Sequence, residues 1–394
     1  DVLGSRGLGD VYKRQKLFDM KKIAILVFFT VGFFVHVWAC TGLIAGKQAT
    51  VDGSVLVTYS ADSHTLYGAL TSSPAADWPK GSMRSIVEWD TNKPLGEIEQ
   101  VEHTYAVIGN MNEHQLTVVE STWGGRPELV DTTGIIDYGS LMQLALERAK
   151  TAREAIKVMT GLVKKYGYYS SGESFTIADP NEAWILDLIG KGPGRRGAVW
   201  VAVRIPDDCI AGHANYPRIH KIPMDDKENC LYSPDVISFA REMGYFDGLN
   251  KDFSFARAYS PADFGALRAC DARVWSFFRK YDSTMDNYLP YVNGESAEPF
   301  PLYVKPSRKL SVQDMKEAMR DHFEDTPFDM TQDVGAGPFK VPYRFRPMSF
   351  EVDGKSYCME RAIATQQTGF TLVGQMRNWL PDPVGGVLWF GTDD

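Results

Sequence analysis

The chain has 394 residues, of which 44% are hydrophobic and 23% are charged. This composition is typical of a globular protein with a large core and excludes a globally disordered chain. The 42 Lys and Arg residues against 50 Asp and Glu residues give a formal charge of −8. Because there is no strongly basic stretch, nucleic-acid binding is disfavoured as the main activity.

The amino terminus carries an export pattern. Lys21 and Lys22 follow Met20, and an uncharged, mostly apolar run of 17 residues extends from Ile23 to Ala39. Such a pattern, with small or aliphatic residues before the cut, is typical of a cleaved signal peptide. We therefore predict a signal peptide over 20–39 that is removed before Cys40, which makes the mature protein periplasmic or secreted. The alternative is a membrane anchor, but the run is shorter than the ~20 residues of a spanning helix.

The two ends of the chain lead to further expectations. Residues 1–19 precede the first Met and carry no export pattern, so we interpret them as a non-native leader. Residues 389–394 have the pattern of a strand that enters a loop, without a terminal helix or polar tail. We therefore predict a catalytic domain over 40–394 whose carboxyl-terminal part continues beyond Asp394.

Cys40 has three interpretations. It is an ordinary residue near a cut elsewhere, or a lipid-modified cysteine in a loose lipobox, or a nucleophile that becomes the first residue. In the third case the α-amine, with a pKa near ~7.7–8.0, can take the proton of the thiol. Acylation of that amine would remove this base, so the second and third interpretations exclude each other.

The elements after Cys40 begin with a hairpin. Thr41 to Ala45 is an apolar strand, Asp52-Gly53 is a turn signal, and residues 54–59 are rich in β-branched side chains. A nucleophile at the start of a buried strand that leads into a hairpin is typical of Ntn hydrolases. Strands and helices then alternate without repeats, which fits one layered sandwich. The predicted strands are 104–110, 116–121, 175–178, 183–188, 199–204 and 210–212, and the predicted helices are 138–148, 151–166, 233–244 and 310–324.

The other cysteines and the histidines show no metal-binding spacing. Cys209, Cys230, Cys270 and Cys358 form no CxxC pair, so a zinc site is not expected. In an oxidising compartment these four could form disulfides, but the sequence does not determine their pairing. We expect no cofactor and no metal.

An ordered set of motifs resembles the Ntn-type cysteine dipeptidases, the dipeptidase A-like family related to penicillin V acylase and bile salt hydrolase. The resemblance extends from Cys40 to Asp394 and implies an α+β fold, a four-layer αββα Ntn-hydrolase sandwich. The matching segments are Cys40-Thr41, 46–49, Asp52-Gly53-Ser54, 60–63, 109–113, 178–184, 190–193, 200–208, 214–219, Arg273-Val274-Trp275 and 377–381.

The resemblance also implies catalytic roles. Cys40 supplies the nucleophile and, through its α-amine, the base, while Asp62 holds the nucleophile or the amine. Asn112 is the candidate oxyanion donor, Asn215 a hydrogen-bond partner of the amine, and Arg273 the cation near the thiol. Simpler interpretations remain open: a turn carboxylate for Asp62, a turn amide for Asn112 and a surface helix arginine for Arg273.

Two residues are candidates for substrate binding. Tyr59 stands three positions before Asp62, where the relatives carry an arginine, so a cation that would lower the pKa of the thiol is absent there. Either Arg273 or the α-ammonium must compensate. The carboxylate of Glu113, Asp207 or Asp208 could bind the ammonium of a peptide.

The function expected from the sequence is therefore that of an exported cysteine dipeptidase. It would hydrolyse small peptides through a thioester on Cys40, and it would bind neither nucleic acid nor, after cleavage, a membrane. Two alternatives remain: an N-acyl amidase of the penicillin V acylase or bile salt hydrolase type, and a membrane-anchored lipoprotein that binds ligands. Whether the protein is a homo-oligomer stays open.

Overall fold

The structure is a computed structural model that describes residues 40–63, 68–344, 349–358 and 360–393. The predicted leader and signal peptide lie outside the described residues. Within the described ranges, no helix has the length and apolar character needed to cross a membrane.

The described strands belong to two large sheets and three two-stranded sheets. In chain order they are β1 (Thr41–Ala45), β2 (Val55–Asp62), β3 (Ser72–Ser73), β4 (Ala76–Asp77), β5 (Met83–Val87), β6 (Pro94–Glu99), β7 (His103–Thr104), β8 (Val107–Ile108), β9 (Met111–Asn112), β10 (Thr117–Gly124), β11 (Gly172–Ala178), β12 (Ala183–Gly190), β13 (Ala198–Ile205), β14 (Ile210–His213), β15 (Cys230–Tyr232), β16 (Tyr303–Val304), β17 (Ser349–Val352), β18 (Lys355–Cys358), β19 (Thr368–Met376) and β20 (Val387–Gly391). The two-stranded sheets are β4-β7, β5-β6 and β17-β18, of which the last two are hairpins.

The helices are short apart from the first two. They are α1 (Tyr138–Arg148), α2 (Ala152–Tyr166), α3 (Val236–Glu242), α4 (Phe255–Tyr259), α5 (Ala272–Arg279), α6 (Leu289–Val292), α7 (Val312–Met319) and α8 (Asp382–Gly385). A π-helical turn, Ala266–Asp271, leads directly into α5. Short 3₁₀ segments lie at Pro127–Leu129, Asn250–Asp252, Ser283–Tyr288 and Val334–Phe339.

The first sheet has the strand order β16-β14-β1-β2-β19-β20, and the second has the order β15-β13-β12-β11-β10-β9-β8-β3. The pairs in both sheets are antiparallel, and β1 lies between β2 and β14. In this register Thr41 is opposite Ser60 on one side and Gly42 is opposite His213 on the other. The two sheets approach each other where β1 and β2 contact β10 and β11.

Three hydrophobic clusters build the core. The first lies between the sheets and contains Cys40 and Ile44, whereas the second contains Leu43 and packs the first sheet against α5 and α7. Because side chains alternate along a strand, neighbouring residues of β1 serve different clusters. The third cluster packs the second sheet against α1 and α2. The described residues therefore have an α+β architecture, as expected.

Several local predictions are confirmed. The Asp-Gly turn joins β1 to β2, with Gly53 at a φ of 83°. Thr151 caps α2 by accepting a hydrogen bond from the backbone N–H of Glu154. Ser311 and Asp314 form a capping box at α7, which ends at Met319, before the predicted residue 324.

One predicted strand is wrong. Residues 104–110 do not form a single strand but contribute to β7 and β8, which pair with different partners. Gly109 has a φ of 51°, in the left-handed region that an extended strand does not use. The chain therefore turns between β8 and β9 where the sequence pattern predicted continuity.

Candidate active site

Cys40 lies at the entry to β1, with 3% of its surface exposed. Its Sγ atom is 3.5 Å from the hydroxyl of Tyr59 on β2. Burial, followed by the negative charges of Glu120 and Asp62, raises the pKa of the thiol well above its usual value. The contact with the Tyr59 hydroxyl and a hydrogen bond from the backbone of Asp62 oppose this rise. The thiol therefore needs a base that removes its proton before it can attack.

Arg273 fixes the backbone at Cys40. It is completely buried at the start of α5, directly after the π-helical turn. All five of its N–H groups donate hydrogen bonds, at 2.7–3.0 Å, to the backbone oxygens of Cys40, Ala214 and Ala269, to Thr41 Oγ1 and to Asn215 Oδ1. Burial and the nearby Arg361 lower the pKa of Arg273 to about 10, so the guanidinium stays charged at neutral pH. The interpretation of Arg273 as a surface helix arginine is therefore wrong.

Asp62 ends β2 and is also completely buried. Its Oδ2 accepts a hydrogen bond from Arg361 Nη2 at 2.8 Å, and its Oδ1 accepts one from Thr368 Oγ1 at 2.8 Å. Burial raises the pKa of Asp62, against the lowering effect of Arg361 and Arg273. The carboxylate therefore contributes a fixed charge near the thiol and is not a free turn residue.

Asn215 follows β14 and adopts a φ of 58°. Its Oδ1 accepts from Arg273 at 2.7 Å, and its Nδ2 donates to the backbone oxygen of Thr122 at 2.5 Å. Its backbone N–H donates to Ser121 Oγ at 3.2 Å. Asn215 thus joins Arg273 to strand β10 of the second sheet.

His213 was not among the predicted site residues, although it supports Asn215. Its ring is completely buried between Ser121 Oγ, 2.6 Å from Nδ1, and Thr176 Oγ1, 2.8 Å from Nε2. Because Ser121 Oγ accepts from Asn215, its own hydrogen is available for Nδ1, and Nε2 then donates to Thr176. Burial and Arg273 lower the pKa of His213 to about 3, so the ring is neutral.

Asn112 does not fit the predicted oxyanion role. Its Nδ2 donates to the backbone oxygens of Leu146 and Ala149 at 2.7 and 2.8 Å, and its Oδ1 accepts from the backbone N–H groups of His114 and Leu116. Both amide hydrogens are used, so none remains for a substrate oxygen. The side chain instead connects the β9–β10 turn to the end of α1.

The predicted substrate-binding residues occupy different environments. Tyr59 contacts the thiol, and its hydroxyl donates to Glu120 Oε1 at 2.5 Å. Glu113 is exposed and accepts a hydrogen bond from the backbone N–H of Ala106. Asp207 pairs with Arg204 and Lys47, and Asp208 pairs with Lys305. Of these residues, only Tyr59 is shown to contact Cys40.

Glu120 on β10 is the acidic neighbour of Cys40 that sequence reasoning missed. It is 2% exposed and lies beside Glu173 of β11, which is fully buried. Its hydrogen bond to the predicted site is with Tyr59, which is 61 residues away in the sequence. No local motif signals such a contact.

The remaining cysteines are free thiols where their side chains are described. Cys209, Cys230 and Cys270, like Cys40, form no disulfide. Within the described part of the chain, no group of three or more His, Cys, Asp or Glu residues is arranged to hold a metal ion.

Comparisons with known proteins agree with the resemblance. The model of peptidase family C69 matches residues 39–394. The "Probable dipeptidase" of Salmonella dublin is 28% identical over 318 residues, which cover 74% of this chain and 68% of that protein. The "Probable dipeptidase" of Latilactobacillus sakei is 25% identical over 378 residues, covering 91% and 72%. "Dipeptidase A" of Lactobacillus helveticus is 24% identical over 372 residues, covering 89% and 72%.

Proposed function

This chain belongs to peptidase family C69, and we propose that it is a cysteine dipeptidase that uses Cys40 as its nucleophile. The observation that carries the proposal is the position of Cys40. Its backbone is held by Arg273, its thiol contacts Tyr59, and it precedes a buried strand. The names of the similar proteins support the choice of dipeptides as substrates.

The proposed mechanism begins with the removal of residues 1–39. Cleavage leaves a free α-amine on Cys40, whose pKa of about 7.7–8.0 suits a base at neutral pH. The amine takes the proton of the thiol, and the sulfur attacks the carbonyl carbon of the peptide bond. The leaving amine receives the proton as the carbon–nitrogen bond breaks, and the acyl group remains on Sγ as a thioester. Water, activated by the same amine, then releases the free acid and restores the thiol.

In this mechanism Arg273 and Asn215 are positioning residues. Arg273 holds the carbonyl of Cys40, and Asn215 orients Arg273 through its Oδ1. Asp62 places a negative charge near the new α-ammonium, which favours the protonated amine formed during attack. No side chain is assigned to the oxyanion, since the amide of Asn112 has no free donor.

The finer fold class and the export are part of the proposal. Two sheets that contact each other and carry helices on their other faces support the four-layer αββα arrangement of Ntn hydrolases. A signal peptide over 20–39 would both export the chain and expose the α-amine of Cys40. We propose on this basis that the mature enzyme is periplasmic or secreted.

The first prediction tests the nucleophile. Cys40→Ala should remove hydrolysis of dipeptides, and Cys40→Ser should reduce it by at least ~10³-fold, because a hydroxyl is less readily deprotonated than a thiol. Turnover of a dipeptide panel and an N-acyl amino acid panel by the processed protein measures this. Undiminished dipeptide turnover by purified Cys40→Ala would refute the assignment.

Two further outcomes decide between this function and its alternatives. The intact mass of the mature chain shows whether Cys40 is a free first residue or carries an acyl group, and acylation would contradict the hydrolase. Hydrolysis of penicillin V or conjugated bile acids without hydrolysis of dipeptides would favour the amidase.

A further inference from the structure

The chemistry of a dipeptide fixes where its ammonium must lie. In the acyl half, two bonds, or about 2.5 Å, separate the free nitrogen from the carbonyl carbon under attack. Reacting atoms approach to ~3–3.5 Å before the bond forms. The ammonium of a bound dipeptide therefore lies roughly 4–6 Å from the nucleophilic sulfur. A carboxylate oxygen that pairs with the ammonium at ~3 Å therefore lies within about 9 Å of the sulfur.

Two carboxylates are close enough to affect the thiol, those of Glu120 and Asp62. Asp62 already has Arg361 on one oxygen and Thr368 on the other. Glu120 Oε1 is 2.5 Å from the Tyr59 hydroxyl oxygen, which is itself 3.5 Å from Sγ. Glu120 Oε1 therefore lies within the sum of these distances, about 6 Å, of Sγ. Glu120 meets the distance requirement and has no cationic partner among the described residues.

Glu120 and its neighbour Glu173 each have a buried oxygen that no donor outside the pair reaches. No backbone, amide, hydroxyl or basic group of the described residues donates to Oε2 of either glutamate. The two carboxyl groups contact each other, and burial together with the charge of Glu120 raises the pKa of Glu173 well above its usual value. The pair therefore favours a state in which the two carboxyl groups share one proton and carry one negative charge. A single ammonium would match that charge and give the pair a cationic donor that no other described residue supplies.

The negative charge continues from this pair toward solvent. Asp90 is exposed and accepts a hydrogen bond from Tyr138 at 2.8 Å, and its charge raises the pKa of both Glu120 and Glu173. Burial, followed by the charges of Glu120, Asp90 and Glu173, raises the pKa of Tyr138. Asp90 therefore adds to the negative potential around the glutamate pair, which favours a cationic group there.

We propose that Glu120, supported by Glu173, binds the α-ammonium of the substrate and restricts the enzyme to peptides with a free amino terminus. This inference rests on the proposed function and adds to it the residue that separates a dipeptidase from an N-acyl amidase. In this proposal Glu120 takes the ammonium-binding role that the sequence suggested for Glu113, which is exposed and has no described contact with Cys40.

The test compares two substrates that differ only in the ammonium, alanyl-alanine and propionyl-alanine. The wild-type enzyme should prefer alanyl-alanine by ~100-fold or more in kcat/KM, because a buried charged pair is lost with the analogue. Glu120→Gln keeps the size of the side chain and removes its charge, so the preference, taken as the ratio of the two kcat/KM values, should fall below about 10-fold.

A matched control is Glu147→Gln. Glu147 is a second buried glutamate, 4% exposed, whose partners are Arg84 and Gln143. This variant should retain the substrate preference of the wild type. A Glu120→Gln enzyme that loses the same factor on both substrates, or that keeps the wild-type preference, overturns the inference.

A second variant, Glu120→Asp, tests the same inference if Glu120→Gln does not fold. Glu120→Asp keeps the charge but moves it away by one carbon, so the preference should fall by ~3–10-fold through a higher KM for alanyl-alanine. An unchanged preference in this variant also overturns the inference. Failure of the wild-type enzyme to hydrolyse alanyl-alanine contradicts instead the proposed function itself.

Discussion

Arg273 joins three segments that are distant in the sequence. Its N–H groups reach Cys40 and Thr41 at the start of β1, Ala214 and Asn215 after β14, and Ala269 in the π-helical turn. A planar guanidinium can serve these acceptors in fixed directions, whereas the ammonium of a lysine has only three donors. The position of Cys40 therefore depends on the shape of Arg273 as well as on its charge.

We predict that Arg273→Lys lowers kcat/KM by about 100-fold, because the backbone of Cys40 loses its fixed position. The loss should fall mainly on kcat. At least one buried carbonyl is left without a donor, so the free energy of unfolding should also fall by roughly 1–3 kcal/mol. Steady-state kinetics and urea unfolding measure the two effects.

Arg279→Lys is the control for this prediction. Arg279 lies on the same helix, α5, but pairs with Asp286 near the surface. Its replacement should change the free energy of unfolding by less than about 0.5 kcal/mol and leave kcat/KM intact. Equal effects of the two substitutions would contradict the special role of Arg273.

The site residues found from the sequence are those that belong to motifs. Cys40, Asp62, Asn215 and Arg273 were identified from segments that resemble a family. Arg361 was missed, because it contacts Asp62 across 299 residues. His213 was missed for the same reason, since its partner Ser121 is 92 residues away. The amide of Asn112 was misassigned, because a turn residue gives no signal that its side chain bonds to the end of a helix.

The elements that could be predicted from the sequence are those that begin or end at a recognisable turn or capping motif. An Asp-Gly turn specifies the β1–β2 hairpin, and Thr151 and Ser311 specify the starts of α2 and α7. The neighbours of these elements were not predictable, because β1 pairs with β14 and β2 pairs with β19 through contacts that span most of the chain. Strand order depends on tertiary packing, which single-sequence patterns do not contain.

Strand β1 depends on a glycine that faces His213. A Cβ atom on Gly42 would lie 2.9 Å from Cε1 and Nε2 of the His213 ring, closer than ordinary contact allows. The ring cannot shift easily, because Ser121 and Thr176 hold both of its nitrogens. We predict that Gly42→Ala lowers the free energy of unfolding by about 1–3 kcal/mol, measured by urea denaturation.

Gly161 provides the opposite case for comparison. It lies on the exposed side of α2, and a Cβ atom there would meet nothing within 4 Å. Gly161→Ala should stabilise the protein by roughly 0.5–1 kcal/mol, because alanine restricts the unfolded chain and favours the helix. If both substitutions stabilised the protein, the close packing of β1 against His213 would be disproved.

At the scale of the whole molecule, His213 connects the two large sheets. The residue belongs to β14 of the first sheet, while Ser121 and Thr176 belong to β10 and β11 of the second. In the neutral ring Nδ1 accepts from Ser121 and Nε2 donates to Thr176, whereas a protonated ring donates from both nitrogens and leaves the hydroxyl hydrogen of Ser121 without this acceptor. The packing of the sheets is therefore linked to the protonation of one side chain.

This linkage predicts the direction of the acid response. The pKa of His213 is about 3 in the folded protein, against about 6.5 in an unfolded chain, so only the unfolded state binds the proton between these values. The contribution of His213 is complete above about pH 6.5 and is lost as the pH falls toward 3. At pH 4 the loss amounts to roughly 3 kcal/mol relative to pH 7. His213→Gln, although less stable at pH 7, should lose correspondingly less between pH 7 and pH 4 in urea unfolding, because it has no proton to bind. A variant whose loss equals that of the wild type would show that other groups control the response to acid.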